Sequence, residues 1–433
     1  MKGRRWAAIV RDAVVCVSLV VLPGASVATS AESPEKVTKP YTHYWMSVAT
    51  QNQSIPGMSG MSGMGAMMGS IMGMPGGGSG RTLYLQLDSP KALPADPSAT
   101  HDIPPVQNMG KTLPLLIPVH ERAVREEPEE REEPVMEKPK VRMLIYWGCG
   151  EKVREGQPRV LDTDKMSPME FGKAMRSRGS SRQYPPSPRK GWVYADWPNK
   201  QSSIPVPKDS SLIGDHFVHG NYTPDIKFSL DARRDFMAPV EFTSVKGGLA
   251  DSIMLQWKDI PTAIGYFAMA MGHNEKTGES IFWSSSEVAD MGFGLMDYLP
   301  NADVYKFIKE KVVMDHDTLQ CAIPEGIFKD TEGATLQFIG YGEELNLVHP
   351  PKPKDPKEPW NIIWAAKVRL KSTGMLVLGM EGQDDRGTAA RRGRRGAEQP
   401  QPSEVEQPQQ TEKPAEDEGV KGTIKKFKGL LGF

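Results

Sequence analysis

Ser252-Ile253-Met254-Leu255-Gln256-Trp257 sets Ile253, Leu255 and Trp257 on one side of an extended chain. Lys258-Asp259-Ile260-Pro261-Thr262-Ala263 then breaks the pattern with a proline, and Gly265-Tyr266-Phe267-Ala268-Met269-Ala270-Met271 resumes it. Recurrence at period two marks a half-buried strand, and a proline-bearing gap between two such runs marks a turn. The unit is therefore strand, turn, strand. A tryptophan borne on a strand and facing inward fills the space between two stacked sheets, and Tyr266 packs beside it from the next strand.

The Leu-x-Trp strand, the Ile-Pro-Thr-Ala turn and the Tyr-x-Ala strand made by these residues resemble the B and C strands of a fibronectin type III-like module. The resemblance implies a two-sheet sandwich over about residues 237–373, with further strands at 281–284, 318–323, 335–341 and 362–370, and it bears on fold rather than function. That span exceeds the roughly 100 residues of such sandwiches. Glu287 to Val313 accounts for the excess as an inserted helical hairpin, with Val304, Ile308 and Val312 at i, i+4 and i+8 behind an Asn301 cap. Together with a Met/Gly-rich start and the segment Tyr146-Trp147-Gly148-Cys149-Gly150, the chain is also similar to a group of exported bacterial proteins without an assigned activity.

Working toward the N-terminus, Thr82 to Leu87, Leu113 to Pro118, Val141 to Trp147, Arg159 to Asp162, Ser211 to His219 and Asp225 to Leu230 all read as strands. Residues 81–233 are thus expected to form a mainly β domain. Its insertion at 121–140 carries Glu-Glu-Pro-Glu-Glu-Arg-Glu-Glu-Pro, whose like charges repel and whose prolines block pairing. The fold class is mainly β: two β-sandwich-like domains, the second fibronectin type III-like with a helical insertion, between disordered termini. Residues 29–80 form a Met/Gly-rich low-complexity segment. Residues 374–418 read as a disordered linker, since from Gly382 to Glu418 there is too little apolar surface to offset ordering entropy. In the last stretch, 419–433, Val420, Ile424, Phe427 and Leu431 share a helical face opposite Lys421, Lys425 and Lys428, the pattern of a short basic amphipathic helix.

Residues 1–28 read as a secretory signal, with a basic start, the apolar run Ala13 to Leu22, and Ser26-Val27-Ala28 before the cut. That run is too short to span a bilayer, which needs about 20 residues. The 433 residues are 38% hydrophobic, enough for real cores, while 42 glycines and 37 prolines argue against long helical bundles. A formal net charge of −1 gives no footprint for nucleic acid.

Removal of the signal leaves Cys149 and Cys321 in a compartment where disulfides persist. Two readings stand level: a bridge, or two buried thiols acting as small hydrophobes. Met58, Met61, Met64, Met67, Met68, Met72 and Met74 are the strongest compositional anomaly, and thioether sulfur is a soft ligand that selects Cu(I). The same stretch also reads as a flexible glycine linker, or as a small-residue ridge through Gly65, Gly69 and Gly73. His216 and His219 lie close in sequence, but on a strand their odd separation sends them to opposite faces rather than to one metal.

No nucleophile with its base, phosphate-cradling glycine loop or His-Glu-x-x-His occurs, and no catalytic residue is assigned. Ser187-Pro188-Arg189-Lys190 matches Ser-x-x-Lys only by letters, in a proline-rich loop. These readings describe a non-catalytic, cofactor-free exported protein of the periplasm or cell envelope, or alternatively of the extracellular space. It would bind an envelope protein or glycan, with peripheral membrane contact through 420–433. A periplasmic copper-handling protein using the seven methionines is the alternative, and an enzyme with an unrecognised site is the second.

Overall fold

The computed structural model describes residues 39–54, 80–118, 141–175, 184–355 and 357–379. The signal-like start, the methionine run, the acidic insertion and the C-terminal 380–433 lie outside them. Nine strands form in the first half: β1 (Thr42–Ser54), β2 (Gly80–Ser89), β3 (Ala99–Asp102), β4 (Thr112–Pro114), β5 (Arg142–Trp147), β6 (Arg159–Asp162), β7 (Val193–Trp197), β8 (Gly214–Gly220) and β9 (Ile226–Leu230). Nine more follow: β10 (Phe242–Lys246), β11 (Ile253–Trp257), β12 (Ala263–Asn274), β13 (Glu279–Ser284), β14 (Met314–Asp315), β15 (Gln320–Ile323), β16 (Ala334–Gly342), β17 (Leu345–His349) and β18 (Trp364–Leu378). Among the described residues two α-helices accompany them, α1 (Pro168–Ala174) and α2 (Asn301–Lys309). The protein is mainly β.

One 11-stranded sheet runs β6-β5-β13-β12-β16-β18-β1-β2-β7, with β14 paired to β12 and β17 to β18. Two smaller sheets, β10-β11-β15 and β4-β3-β8-β9, share a single continuous core with its inner face. Period-two alternation builds that core. Tyr44, Met46 and Val48 of β1, Leu83, Leu85 and Leu87 of β2, and Ala366, Val368 and Leu370 of β18 are all buried in it. Trp257 is 3% exposed, its ring edge-on to Phe338 at 4.8 Å and to Tyr266 at 5.8 Å. Tyr266 OH in turn accepts from the Ile260 amide at 3.1 Å, which ties the turn to the strand after it.

Cys149 and Cys321 are joined by a disulfide that closes a 172-residue separation. Cys149 follows β5, the strand next to the edge strand β6 of the long sheet, and Cys321 belongs to β15, so the bond staples the two layers together.

The outer face of the long sheet is covered over part of its width. The segment 287–300 and α2 bury Leu295, Leu299, Val304, Phe307 and Val312 against Phe267, Met269, Ile339 and Tyr341 of β12 and β16. On the other side of β12, α1 sets Phe171 and Ala174 against the cluster of Met143, Ile145 and Phe282. The expected helical hairpin at 287–313 is corrected to one helix. Gly292 stands at φ +80° and Pro300 precedes the helix, and neither suits a helix interior. Asn301 is the first helical residue rather than the cap, which is Pro300. Its side chain instead grips the Glu344 backbone, accepting from the amide at 2.9 Å and donating to the carbonyl at 3.3 Å.

Two further features depart from the sequence boundaries. β1 occupies Thr42–Ser54, inside the 29–80 stretch taken as low complexity, because its alternation is carried by aromatic and β-branched residues that precede the glycine-rich part. The long sheet takes β1, β2, β5, β6 and β7 from before residue 233 and the rest from after 237, so strand pairs cross that boundary. Both crossings are parallel, β1 beside β18 and β5 beside β13. Non-local parallel pairing leaves no hairpin signature in sequence.

Candidate functional site

Beyond the part covered by α2, the outer face of β18, β1, β2 and β7 carries polar side chains. Alternation on β18 turns Lys367, Arg369 and Lys371 outward, and β1 sets Trp45, Ser47 and Ala49 beside them. Register continues across the sheet: Ser47 opposes Tyr84, Trp45 opposes Gln86, and Gln86 opposes Asp196. Small side chains at Ser47 and Ala49, between larger ones on neighbouring strands, leave a groove of about 310 Å³. Tyr84, Tyr194 and Tyr298 present rings to it.

Charge is distributed unevenly along this groove. Lys367 Nζ lies 2.9 Å from Glu344 Oε2, and Lys371 Nζ lies 2.8 Å from Asp297 Oδ1. Arg369, between them, donates from Nε to Ser47 Oγ at 2.7 Å and lies 4.2 Å from the Tyr298 ring centre and 5.0 Å from that of Trp45. Among the described residues no carboxylate lies within 4 Å of its guanidinium. Burial pushes its pKa down, but an arginine remains charged at any physiological pH. At the far wall Tyr194 OH donates to Asp196 Oδ2 at 3.0 Å, and Gln86 Nε2 lies 3.5 Å from the same hydroxyl. Burial raises the Asp196 carboxyl above the usual carboxylate range, and among the described residues its buried Oδ1 has no hydrogen-bond partner. Burial also pushes the Tyr194 phenol up to about 12, so it stays a hydroxyl donor.

One end of the groove is fastened by Asp88. His43 Nδ1 is 2.6 Å from its Oδ1, and Arg189 Nη2 donates to its Oδ2 at 2.7 Å while stacking 3.4 Å over Trp192. Arg189 is the arginine of the Ser-x-x-Lys lookalike, and here it locks the 184–192 loop to the sheet. Gln86 Nε2 reaches the Pro186 carbonyl of that loop at 3.2 Å.

The residues singled out from sequence fall elsewhere. Met58, Met61, Met64, Met67, Met68, Met72 and Met74 lie outside the described residues. Among those described, no group of three or more His, Cys, Asp or Glu is placed to hold a metal. Cys149 and Cys321 are bridged, on the core side of the sheet rather than in the groove. His216 is buried and hydrogen-bonded to His101 at 3.0 Å, whereas His219 lies on the opposite face with Thr100 and Asp102, each at 3.1 Å. A larger cleft of about 510 Å³ separates β9 from β17, and its Arg234 is already paired to Asp231 at 3.1 Å and Glu343 at 3.2 Å.

Sequence reading missed Arg369, Tyr84, Tyr194, Asp196 and Tyr298. The signal for the first was legible as Lys367-x-Arg369-x-Lys371 within a strand, three cations sent to one face. The others come from strands far apart in sequence and meet only through pairing. No family model matches this chain, and a search of curated proteins finds no match.

Proposed function

We propose that this is an exported, non-catalytic binding protein of the cell envelope that takes its ligand in the groove across β18, β1, β2 and β7. The observation that carries the reading is Arg369, a half-buried cation fixed by Ser47, Trp45 and Tyr298 that lines an open groove. Few concave sites combine aromatic rings with convergent polar groups, and those that do are the default place for a ligand. The strand arrangement supports reading the part after residue 237 as fibronectin type III-like. A three-stranded sheet β10-β11-β15 faces the run β13-β12-β16-β18, and Trp257 lies between them. On that reading the strands contributed from before residue 233 widen one sheet and create the groove.

The test is retention of the full chain by an isolated envelope fraction of the source cells, compared with Thr82→Trp, which fills the groove with an indole. Retention should fall at least several-fold in the variant. Equal retention of the two proteins would remove the groove from the function. The copper alternative rests on the seven methionines at 58–74 and is tested separately below.

A further inference from the structure

The geometry points to a carboxylate-bearing sugar, a uronic-acid unit within an acidic oligosaccharide, as the ligand of the groove, an inference that rests on the binding role proposed above. Three cations stand in a row on β18 and two carboxylates answer them. Glu344 pairs with Lys367 and Asp297 with Lys371, which leaves Arg369 as the member without a carboxylate in direct contact among the described residues, the same two carboxylates acting on it only from farther off. With Nε committed to Ser47, its two terminal nitrogens offer the parallel donor pair that fits a carboxylate. The stacking of Trp45 and Tyr298 holds that fork in place, so little side-chain entropy is lost on binding.

The rest of the groove favours a sugar over other anions. A tyrosine ring offers an apolar face to the C–H side of a pyranose and a hydroxyl to its edge, and Tyr84 and Tyr194 line this site beside Tyr298, whose ring is engaged by Arg369 and Lys371. Gln86, Tyr194 and Asp196 at the far wall are donors and acceptors suited to hydroxyl groups, and a carboxyl there works against a dianionic phosphate. A peptide would gain little, because the groove lies on a sheet face whose backbone N–H and C=O groups are already spent in the ladders from β18 to β7. From β18 to β7 there are three strand spacings, about 14 Å, which suits a short oligosaccharide better than a single sugar.

Titration calorimetry on the full chain tests this with tetragalacturonate and tetramannuronate as acidic probes, the methyl ester of tetragalacturonate as an uncharged probe of the same shape, and tetraglutamate as an acidic peptide. At least one acidic tetrasaccharide should bind, and neutralising its carboxylates by esterification should weaken binding at least ten-fold. Arg369→Gln should bring acid and ester to within about two-fold of each other. A second variant, Tyr84→Ala, should weaken acid and ester alike. The inference falls if neither acid binds at millimolar concentration, if ester and acid bind equally to the unaltered protein, or if tetraglutamate binds as tightly as the sugars. The acid-to-ester ratio needs no variant and so stands even if Arg369→Gln fails to fold. Loss of envelope retention in Thr82→Trp together with no uronate binding would overturn the ligand class alone, whereas unchanged retention would overturn the groove itself.

Discussion

His101 Nε2 lies 3.0 Å from His216 Nδ1, in a chain that admits a single set of protons. The Leu212 carbonyl can only accept, so His216 donates to it from Nε2 at 2.7 Å and receives at Nδ1. His101 must therefore donate from Nε2 and receive at Nδ1 from Tyr44 OH, 2.9 Å away. A further proton on His216 Nδ1 sets two donors face to face, and one on His101 Nδ1 takes from the Tyr44 hydroxyl the acceptor of its proton. All three side chains are buried, and Phe228 stacks on His216 with its ring centre 5.1 Å away.

Burial, and for His101 also the neighbouring His216, lowers both histidine pKa values from the ordinary value. The unfolded chain takes up protons below about pH 6.5 while the folded chain does not, so stability is full above that value and is lost as pH falls. Each histidine contributes a slope of up to about 1.4 kcal/mol per pH unit. Denaturant midpoints measured from pH 7.5 to 5 should show this fall, and His216→Gln should reduce the slope by about half.

Asp196 has the opposite sign. Its folded pKa is raised, chiefly by burial, so the folded chain holds the proton longer than the unfolded chain. Stability is lost as pH rises through the window above the usual carboxylate value, and the loss persists at neutral pH. Asp196→Asn should stabilise the protein at pH 7 by about 1 kcal/mol and have little effect near pH 3, as read by thermal unfolding at the two pH values.

Removing the disulfide by Cys149→Ser with Cys321→Ser should cost about 2–5 kcal/mol, since it releases a long loop in the unfolded chain. Equilibrium unfolding of the unaltered protein with and without reductant should reproduce the same difference. Free, alkylatable thiols in oxidised protein would contradict the bond.

Trp257→Ala should cost about 3–5 kcal/mol, because the indole fills the space between β11 and the strands carrying Tyr266 and Phe338. Among the described residues the indole Nε1 has no hydrogen-bond partner, so that cost reflects lost packing rather than a lost polar contact. Chemical denaturation measures it directly.

Residues 55–79 connect β1 to β2, whose register is already fixed from His43 opposite Asp88 to Gln51 opposite Gly80. Replacing them by a tight turn should leave the fold intact and raise stability by about 1.5 kcal/mol, as each halving of a loop is worth about 0.6 kcal/mol. Cu(I) titration of both proteins separates the copper alternative. Binding by the full chain alone assigns the metal to the methionines, and equal binding removes that reading.

Sequence by itself determined the local features: the strands around Trp257 and Tyr266, the turn at Pro261, the mainly β class, and the opposite facing of His216 and His219. Each depends on period-two alternation or turn chemistry, which near neighbours in the chain settle between themselves. Tertiary structure decided what depends on distant partners. Only the parallel pairing of β1 with β18 brings Ser47 beside Arg369, residues at opposite ends of the fold, and only the next two pairings bring Tyr84 and Asp196 to the same face. His101 and His216 meet through a similar long-range pairing of β3 with β8. Likewise the helical pattern at 304–312 was legible, but the segment before it was fixed by burial of Leu295 and Leu299 against β12 and β16 rather than by helix propensity. Strand pairing between remote segments rewards backbone groups that every residue has, so the sequence carries little record of which strand lies beside which.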